Sequence, residues 1–277
     1  MKNIKIVFFG TPSYVVPILE TLNTQFNVVG VVTGPDQKVG RHQKITSSPV
    51  AITTQAQKIP VFKSEKLDSS LTTQLSSLSP DLIVVASYGK LIPQSVLDIP
   101  KYGALNVHPS LLPKYRGATP IQSAILHGDT NSGITVIKMD KEMDHGPIVY
   151  REEYNFSADD TFESLANKMF KRAAEILVRL IPDVVAGIVE DKEQNHDQAT
   201  FCSQLKKDDG YFEIGNLPSP ELLDRMIRAY YPWPNAWTKW NNKIVKLLPD
   251  GMVQMEGKKP VSLKDFLNGY PDFPLKP

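Results

Sequence analysis

Four apolar runs that do not alternate with polar residues constrain the fold of this chain more than any other feature: Ile4-Lys-Ile-Val-Phe-Phe9, Val28-Val-Gly-Val-Val32, Asp81-Leu-Ile-Val-Val-Ala86 and Ala104-Leu-Asn-Val-His108. A strand with one wet face alternates, whereas a strand covered on both faces does not, and the covered kind belongs to parallel sheets flanked by helices. The first run ends at Gly10-Thr11-Pro12, after which Val15, Val16, Ile18, Leu19 and Leu22 recur at helical spacing. The reading is an α/β chain with a Rossmann-like, mostly parallel sheet and helices on both faces.

The chain has 277 residues, 41% of them hydrophobic, enough for one large domain and a small one. The polar stretch Asp191-Lys-Glu-Gln-Asn-His-Asp-Gln198 reads as part of a linker, which sets the expected organisation as 1–189, linker 190–204 and 205–277. Within that linker His196 is expected at the surface. Cys202 is the single cysteine, so no internal disulfide can form, and a reducing compartment is expected. The apolar run after Met1 is too short for a signal-peptide core and no segment reaches bilayer length, which points to the cytoplasm and away from a membrane. Net charge is +1, so any nucleic-acid contact must be local.

The chemistry concentrates in two segments. Asn106-Val-His108-Pro-Ser110-Leu-Leu-Pro113 supplies an amide and an imidazole, and Met143-Asp144-His145-Gly146-Pro147 supplies a carboxylate. Asn106 can donate N–H groups to a developing oxyanion, His108 can donate or shuttle a proton near neutral pH, and Asp144 can hold the imidazole and take protons through water. That set suits acyl transfer without a Ser or Cys nucleophile. Taken singly, an Asn or His at a strand end commonly satisfies backbone groups, and an Asp-X-Gly-Pro stretch is commonly a turn.

Open parallel sheets bind ligands beyond the carboxyl ends of their strands, where Gly10, Ser87-Tyr88-Gly89 and residues 106–113 converge. Gly10-Thr-Pro-Ser-Tyr-Val lacks the glycine spacing of a dinucleotide fingerprint, which argues against nicotinamide or flavin. Gly133-Ile-Thr-Val-Ile-Lys138 and Pro147-Ile-Val-Tyr150 read as strands with Asp144 on the loop between them. Leu165, Met169, Ala173, Ile176, Leu177 and Leu180 mark the apolar face of a packing helix. His127 reads as a helix-end residue, His145 stays open between a bystander and a substrate contact, and no His, Cys or Asp set has metal-ligand spacing.

The two segments resemble the formyltransferases that use 10-formyltetrahydrofolate, whose signature is Asn-X-His on a strand, Ser-Leu-Leu-Pro after it and a distant catalytic Asp. Phe9-Gly-Thr-Pro12, Asp81 to Pro93, Lys114-Tyr-Arg-Gly-Ala-Thr-Pro-Ile, Met139 to Pro147 and Arg228 to Trp237 extend the resemblance over nearly the whole chain, toward the members acting on methionyl-tRNA. It implies catalytic Asn106, His108 and Asp144. It also implies a folate segment at Ser110, Leu111, Leu112 and Pro113, with Tyr88, Leu91 and Ile92 as candidate further walls of the pterin pocket, although apolar residues after a strand end are more often simply core. The loop Pro35-Asp-Gln-Lys-Val-Gly-Arg-His-Gln-Lys44 resembles the basic loop of those members, which makes Lys38, Arg41 and Lys44 the expected contacts to a tRNA acceptor end.

The implied partners are 10-formyltetrahydrofolate and methionyl-initiator tRNA, with no metal and a monomeric enzyme. One departure stands out: the family's C-terminal domain is a small OB-like β-barrel, and Lys243 to Leu248 and Met252 to Met255 supply too few strands for a complete one. Two other readings fit part of the pattern. One is an N-formyltransferase acting on an amino sugar nucleotide, and the other is a folate- or tRNA-binding protein without turnover.

Overall fold

Hydrophobic runs with β-branched residues become strands here because both of their faces are covered, and every residue of Leu82-Ile-Val-Val-Ala86 is buried. The computed structural model describes residues 1–39 and 43–275. The order begins β1 (Lys5–Gly10), α1 (Val16–Gln25), β2 (Asn27–Thr33), β3 (Gln37–Val39), β4 (Lys44–Thr46), α2 (Pro49–Ala56) and β5 (Val61–Lys63). It continues with α3 (Ser69–Ser77), β6 (Leu82–Ala86), α4 (Gln94–Leu97), β7 (Ala104–His108), the two-residue β8 (Arg116–Gly117), α5 (Pro120–His127), β9 (Asn131–Lys138), β10 (Ile148–Asn155) and α6 (Phe162–Val185). Two of these helices start at side-chain caps: Ser48 accepts from the Ala51 N–H with Pro49 in the first turn of α2, and Asp68 accepts from the Leu71 N–H at the start of α3.

Two compact units divide the chain. The first comprises Met1–Gly117, Gly133–Tyr154 and Ala166–Phe201, and the second Ala118–Ser132, Asn155–Leu165 and Cys202–Pro277. The seven-stranded sheet runs β10-β9-β7-β6-β1-β2-β5. β1, β2, β5, β6 and β7 pair in parallel and β9 pairs antiparallel to β7, which is the mostly parallel sheet expected from the sequence. The helical face of Leu165, Met169, Ala173, Ile176, Leu177 and Leu180 is buried throughout, as its spacing demands. A second buried cluster joins Val7, Phe9, Val32, Ile83 and Val85 to Leu71, Leu75, Tyr88, Ile92 and Val96.

Residues 35–44, which read as a loop, are in part a β-ribbon: Gln37 pairs with Thr46, Lys38 with Ile45 and Val39 with Lys44. Val39, Ile45 and Thr46 are β-branched, so extended pairing is locally favoured, but the run is too short to show a period.

After β11 (Phe201–Cys202), the second unit continues with α7 (Pro220–Tyr230), β12 (Ala236–Trp240), β13 (Lys243–Leu248), β14 (Met252–Met255), β15 (Val261–Ser262) and α8 (Leu263–Gly269). Its sheet has four strands among the described residues, in the simple order β12-β13-β14-β15, with antiparallel neighbours throughout. Phe212, Leu223, Met226, Tyr230, Val245, Leu247, Val253, Met255, Phe266 and Phe273 form its core. Apolar side chains on one face of this meander are covered by α7 and α8, which removes the need to close the sheet on itself.

Candidate active site

Residues two apart on a strand share a face, so Asn-X-His on β7 presents its amide and imidazole side by side. β7 lies between β6 and β9, with Asn106 opposite Val85 on one side and Ile137 on the other, so the backbone beneath both groups is held by ladders on each edge. Asp144 comes from the β9–β10 connection and sits at a φ of 51°, a left-handed conformation costly for a non-glycine residue.

The three side chains converge. Asn106 Nδ2 donates to Asp144 Oδ1 at 3.0 Å, and the same oxygen lies 3.5 Å from His108 Nδ1. Asp144 Oδ2 accepts the Gly117 N–H at 2.8 Å. His108 is buried, with Nε2 lying 2.9 Å from the carbonyl oxygen of Tyr115. A carbonyl only accepts, so Nε2 carries the hydrogen, and in the neutral ring Nδ1 turns its lone pair toward the carboxylate. The carboxylate oxygen and the Nδ1 edge thus face one another across 3.5 Å. Asn106 has a second amide N–H that no group among the described residues takes.

The segment after β7 is pinned from inside. The Ser110 hydroxyl donates to Lys114 O at 2.6 Å, Thr135 Oγ1 donates to Ser110 O at 2.6 Å, and the Leu112 N–H donates to Thr135 Oγ1 at 3.2 Å. Ser110 and Leu112 are fully buried, whereas Leu111 and Pro113 keep partial exposure. The two halves of Ser110 to Pro113 therefore differ: Ser110 and Leu112 shape the turn, and Leu111 and Pro113 can face a ligand. Gly133 leaves room for this turn, since a Cβ there would collide with the Leu111 side chain.

Tyr88 and Ile92 lie in the cluster of Phe9 and Val85, while Leu91 is 75% exposed. The Tyr88 ring meets Phe9 edge-on at 5.2 Å. Its hydroxyl is buried with no hydrogen-bond partner among the described residues, and burial pushes its pKa up to about 12. Lys38 and Lys44 are exposed on the β3–β4 ribbon, apart from the Asp144 cluster in sequence, and Arg41 lies outside the described residues.

Other groups around Asp144 escape a reading by motif. Tyr115, Arg116 and Gly117 lie within the Lys114-Tyr-Arg-Gly stretch, but their spacing does not reveal that they supply a carbonyl, a guanidinium and an N–H here. Gln194 falls in the polar stretch 190–204, yet its side chain is buried and donates to Asp144 O and Gly146 O. His145 bonds Asp140 Oδ2 through Nδ1 at 2.7 Å and stacks on His196, with ring centroids 4.1 Å apart. His196 is exposed, as expected.

The family profile described as formyl transferase matches residues 3–181, and the one described as formyl transferase, C-terminal domain, matches 204–249. A methionyl-tRNA formyltransferase from Chloroflexus aggregans is 40% identical over 88% of this chain and 79% of its own length. Among solved structures, a sugar N-formyltransferase from a Shewanella species superposes with a TM-score of 0.68 at 14% identity, covering 92% of this chain and 99% of that one. A methionyl-tRNA formyltransferase from Clostridium thermocellum gives 0.62 at 17% identity, covering 93% and 96%. The two structures share the fold, and the sequence likeness carries the assignment further: this chain belongs to the formyl transferase family, in the group of the methionyl-tRNA formyltransferases.

Proposed function

We propose that this chain moves the formyl group of 10-formyltetrahydrofolate onto the free amino group of methionyl-initiator tRNA, as a monomer in the cytoplasm. The observation that carries the reading is the meeting of Asn106, His108 and Asp144, drawn from a strand and a distant loop. The donor is a co-substrate that brings the formyl carbon. Leu111 and Pro113 are the partly exposed edge of the segment assigned to it, and the unpaired Tyr88 hydroxyl offers a polar contact at the end of β6. Among the described residues no helix is long and apolar enough to cross a membrane, and no cluster of His, Cys, Asp and Glu is placed to hold a metal ion.

In the proposed reaction the amine nitrogen bonds to the formyl carbon to give a tetrahedral oxyanion, whose collapse breaks the bond from that carbon to N10. One proton leaves the amine and N10 gains one. An α-amino group of ordinary pKa, about 7.7 to 8.0, is partly neutral near pH 7, so positioning and charge stabilisation are the enzyme's main tasks. The spare N–H of Asn106 meets the oxyanion. His108 contributes the Nδ1 edge it shares with Asp144, and the two together take the amine proton and return it to the leaving nitrogen. Lys38, Arg41 and Lys44 hold phosphates of the acceptor end.

Transfer of labelled formyl to methionyl-tRNA by the wild type and by His108→Ala, with an amino sugar nucleotide as competing acceptor, tests this. Label on tRNA that disappears in a His108→Ala protein still able to bind folate supports the reading. Label on the sugar alone replaces it with the amino sugar reading, which rests so far on likeness of fold. No label on either acceptor, from a protein that binds folate, leaves a binding protein without turnover.

A further inference from the structure

The polar stretch 190–204 sends one buried side chain to the catalytic loop, and its hydrogen bonds are complete. Gln194 Oε1 lies 2.7 Å from Arg116 Nη2 and 3.2 Å from Nε. A guanidinium only donates, so the atom facing it is the amide oxygen and the NH2 group is turned the other way. That group donates to Asp144 O at 2.9 Å and to Gly146 O at 2.7 Å. Both donors and the acceptor are thus used, on a residue 5% exposed.

The two carbonyls flank the turn in which Asp144 holds its positive φ. The turn is tight, because a Cβ at Gly146 would fall on Lys138 O. A non-glycine residue keeps such a conformation only where its surroundings over-determine it. Here the surroundings are the Gln194 amide on the backbone, with Asn106 and Gly117 on the carboxylate. Arg116 is itself buried and extends the chain of contacts to His196 Nδ1 at 2.8 Å.

We infer that Gln194, braced by Arg116, is a positioning residue that sets the catalytic Asp144 carboxylate against His108 by clamping the backbone on either side of His145. The inference rests on the reading of Asp144 as part of the formyl-transfer machinery. Gln194 touches no reacting atom and acts through Asp144 alone, so its removal changes turnover and leaves donor binding intact.

Gln194→Glu keeps an oxygen toward Arg116 and gains a charge pair there, but turns a second oxygen onto two carbonyl oxygens. The measurement is kcat and KM for the folate donor with methionyl-tRNA as acceptor, in the wild-type and Asp144→Asn backgrounds, with a thermal melt of each variant. The expected result in the wild-type background is a kcat loss of about 10- to 100-fold, the scale of a small misplacement of a catalytic group, with KM within twofold. In the Asp144→Asn background the same change is expected to cost less than twofold, since a residue acting through Asp144 has nothing left to position. Gln194→Met, which keeps length and loses both donors, is read in the same way should the glutamate variant fail to fold. A kcat within twofold of wild type, or equal losses in the two backgrounds, overturns the inference while Asp144 keeps its role. An Asp144→Asn enzyme of full activity removes the catalytic reading and this inference together.

Discussion

Two polar regions of the first unit, the Asp144 cluster and the β3–β4 ribbon, use their charged groups in opposite ways. In the cluster each carboxylate oxygen has a donor, His108 is buried, and the polar distances lie between 2.7 and 3.5 Å. On the ribbon Lys38 and Lys44 are exposed and form no ion pair among the described residues, and Ile45 between the strands' outer faces is 67% exposed. The acidic group nearest the ribbon in sequence, Asp36, is taken up by Lys63 at 2.8 Å, and that hydrogen bond holds its carboxyl below the usual range. On the proposed function, the contrast teaches that one region would work through position and the other through net field. Position is destroyed by removing a single atom, whereas a field of exposed cations weakens by degrees and is screened by salt.

The strongest break of this comparison is Asn106→Ala. It deletes the proposed oxyanion donor and also the N–H that holds Asp144 Oδ1. Loss of one such donor costs about 2.7 to 4 kcal/mol in the transition state, so kcat should fall about 10²- to 10³-fold with little change in folate binding. Equal losses in kcat and folate affinity would place Asn106 in donor binding instead.

Gly146→Ala attacks the same region through the backbone. The new methyl meets Lys138 O, a main-chain atom that cannot swing aside, so the turn carrying Asp144 must shift. A melting curve should show a stability loss of about 1 to 3 kcal/mol, and kcat should drop about tenfold or more. Wild-type kcat in this variant would mean that the site tolerates displacement of Asp144, contrary to the positional reading.

These two substitutions divide what the residues disclose from what they hide. The proposed roles of Asn106, His108 and Asp144 come from the resemblance of their segments to the family; what the residues themselves disclose is a strand carrying Asn106 and His108 and a loop carrying Asp144 between two β-branched runs. The parallel sheet is legible too, since covered strands such as Leu82 to Ala86 carry no polar alternation. Gln194 is not legible: it sits among Asp191, Lys192, Glu193, Asn195 and His196, where composition signals solvent, and only tertiary structure turns one amide of that run inward. The ribbon is hidden for a different reason, because three-residue strands are shorter than the window in which a period can be seen. The small domain's meander of four strands depends on which faces α7 and α8 cover, and strand propensities do not carry that information.

The ribbon should answer more mildly. Lys38→Ala and Lys44→Ala are each expected to lower kcat/KM for methionyl-tRNA several-fold at low salt and to leave KM for the folate donor unchanged. Each should also reduce the slope of log kcat/KM against log salt by about 1, as expected when one fewer phosphate is neutralised by the protein. An unchanged slope would remove that lysine from RNA binding and leave it a solvated surface residue.

The smallest effect, and the one that sharpens the comparison most, belongs to Tyr88. Its ring is core, packed edge-on against Phe9, but its hydroxyl is buried without a partner among the described residues. An unpaired buried hydroxyl costs stability, so Tyr88→Phe should raise the melting temperature by an amount equivalent to about 1 kcal/mol in the ligand-free protein. A destabilising polar atom at the carboxyl end of β6 makes sense where a ligand supplies the missing partner, and folate affinity should then fall several-fold in the same variant. The two readouts move in opposite directions only if Tyr88 belongs to the positional region as well as to the core. A stabilised variant with unchanged folate affinity would confine Tyr88 to packing and shift the folate wall toward Leu111 and Pro113.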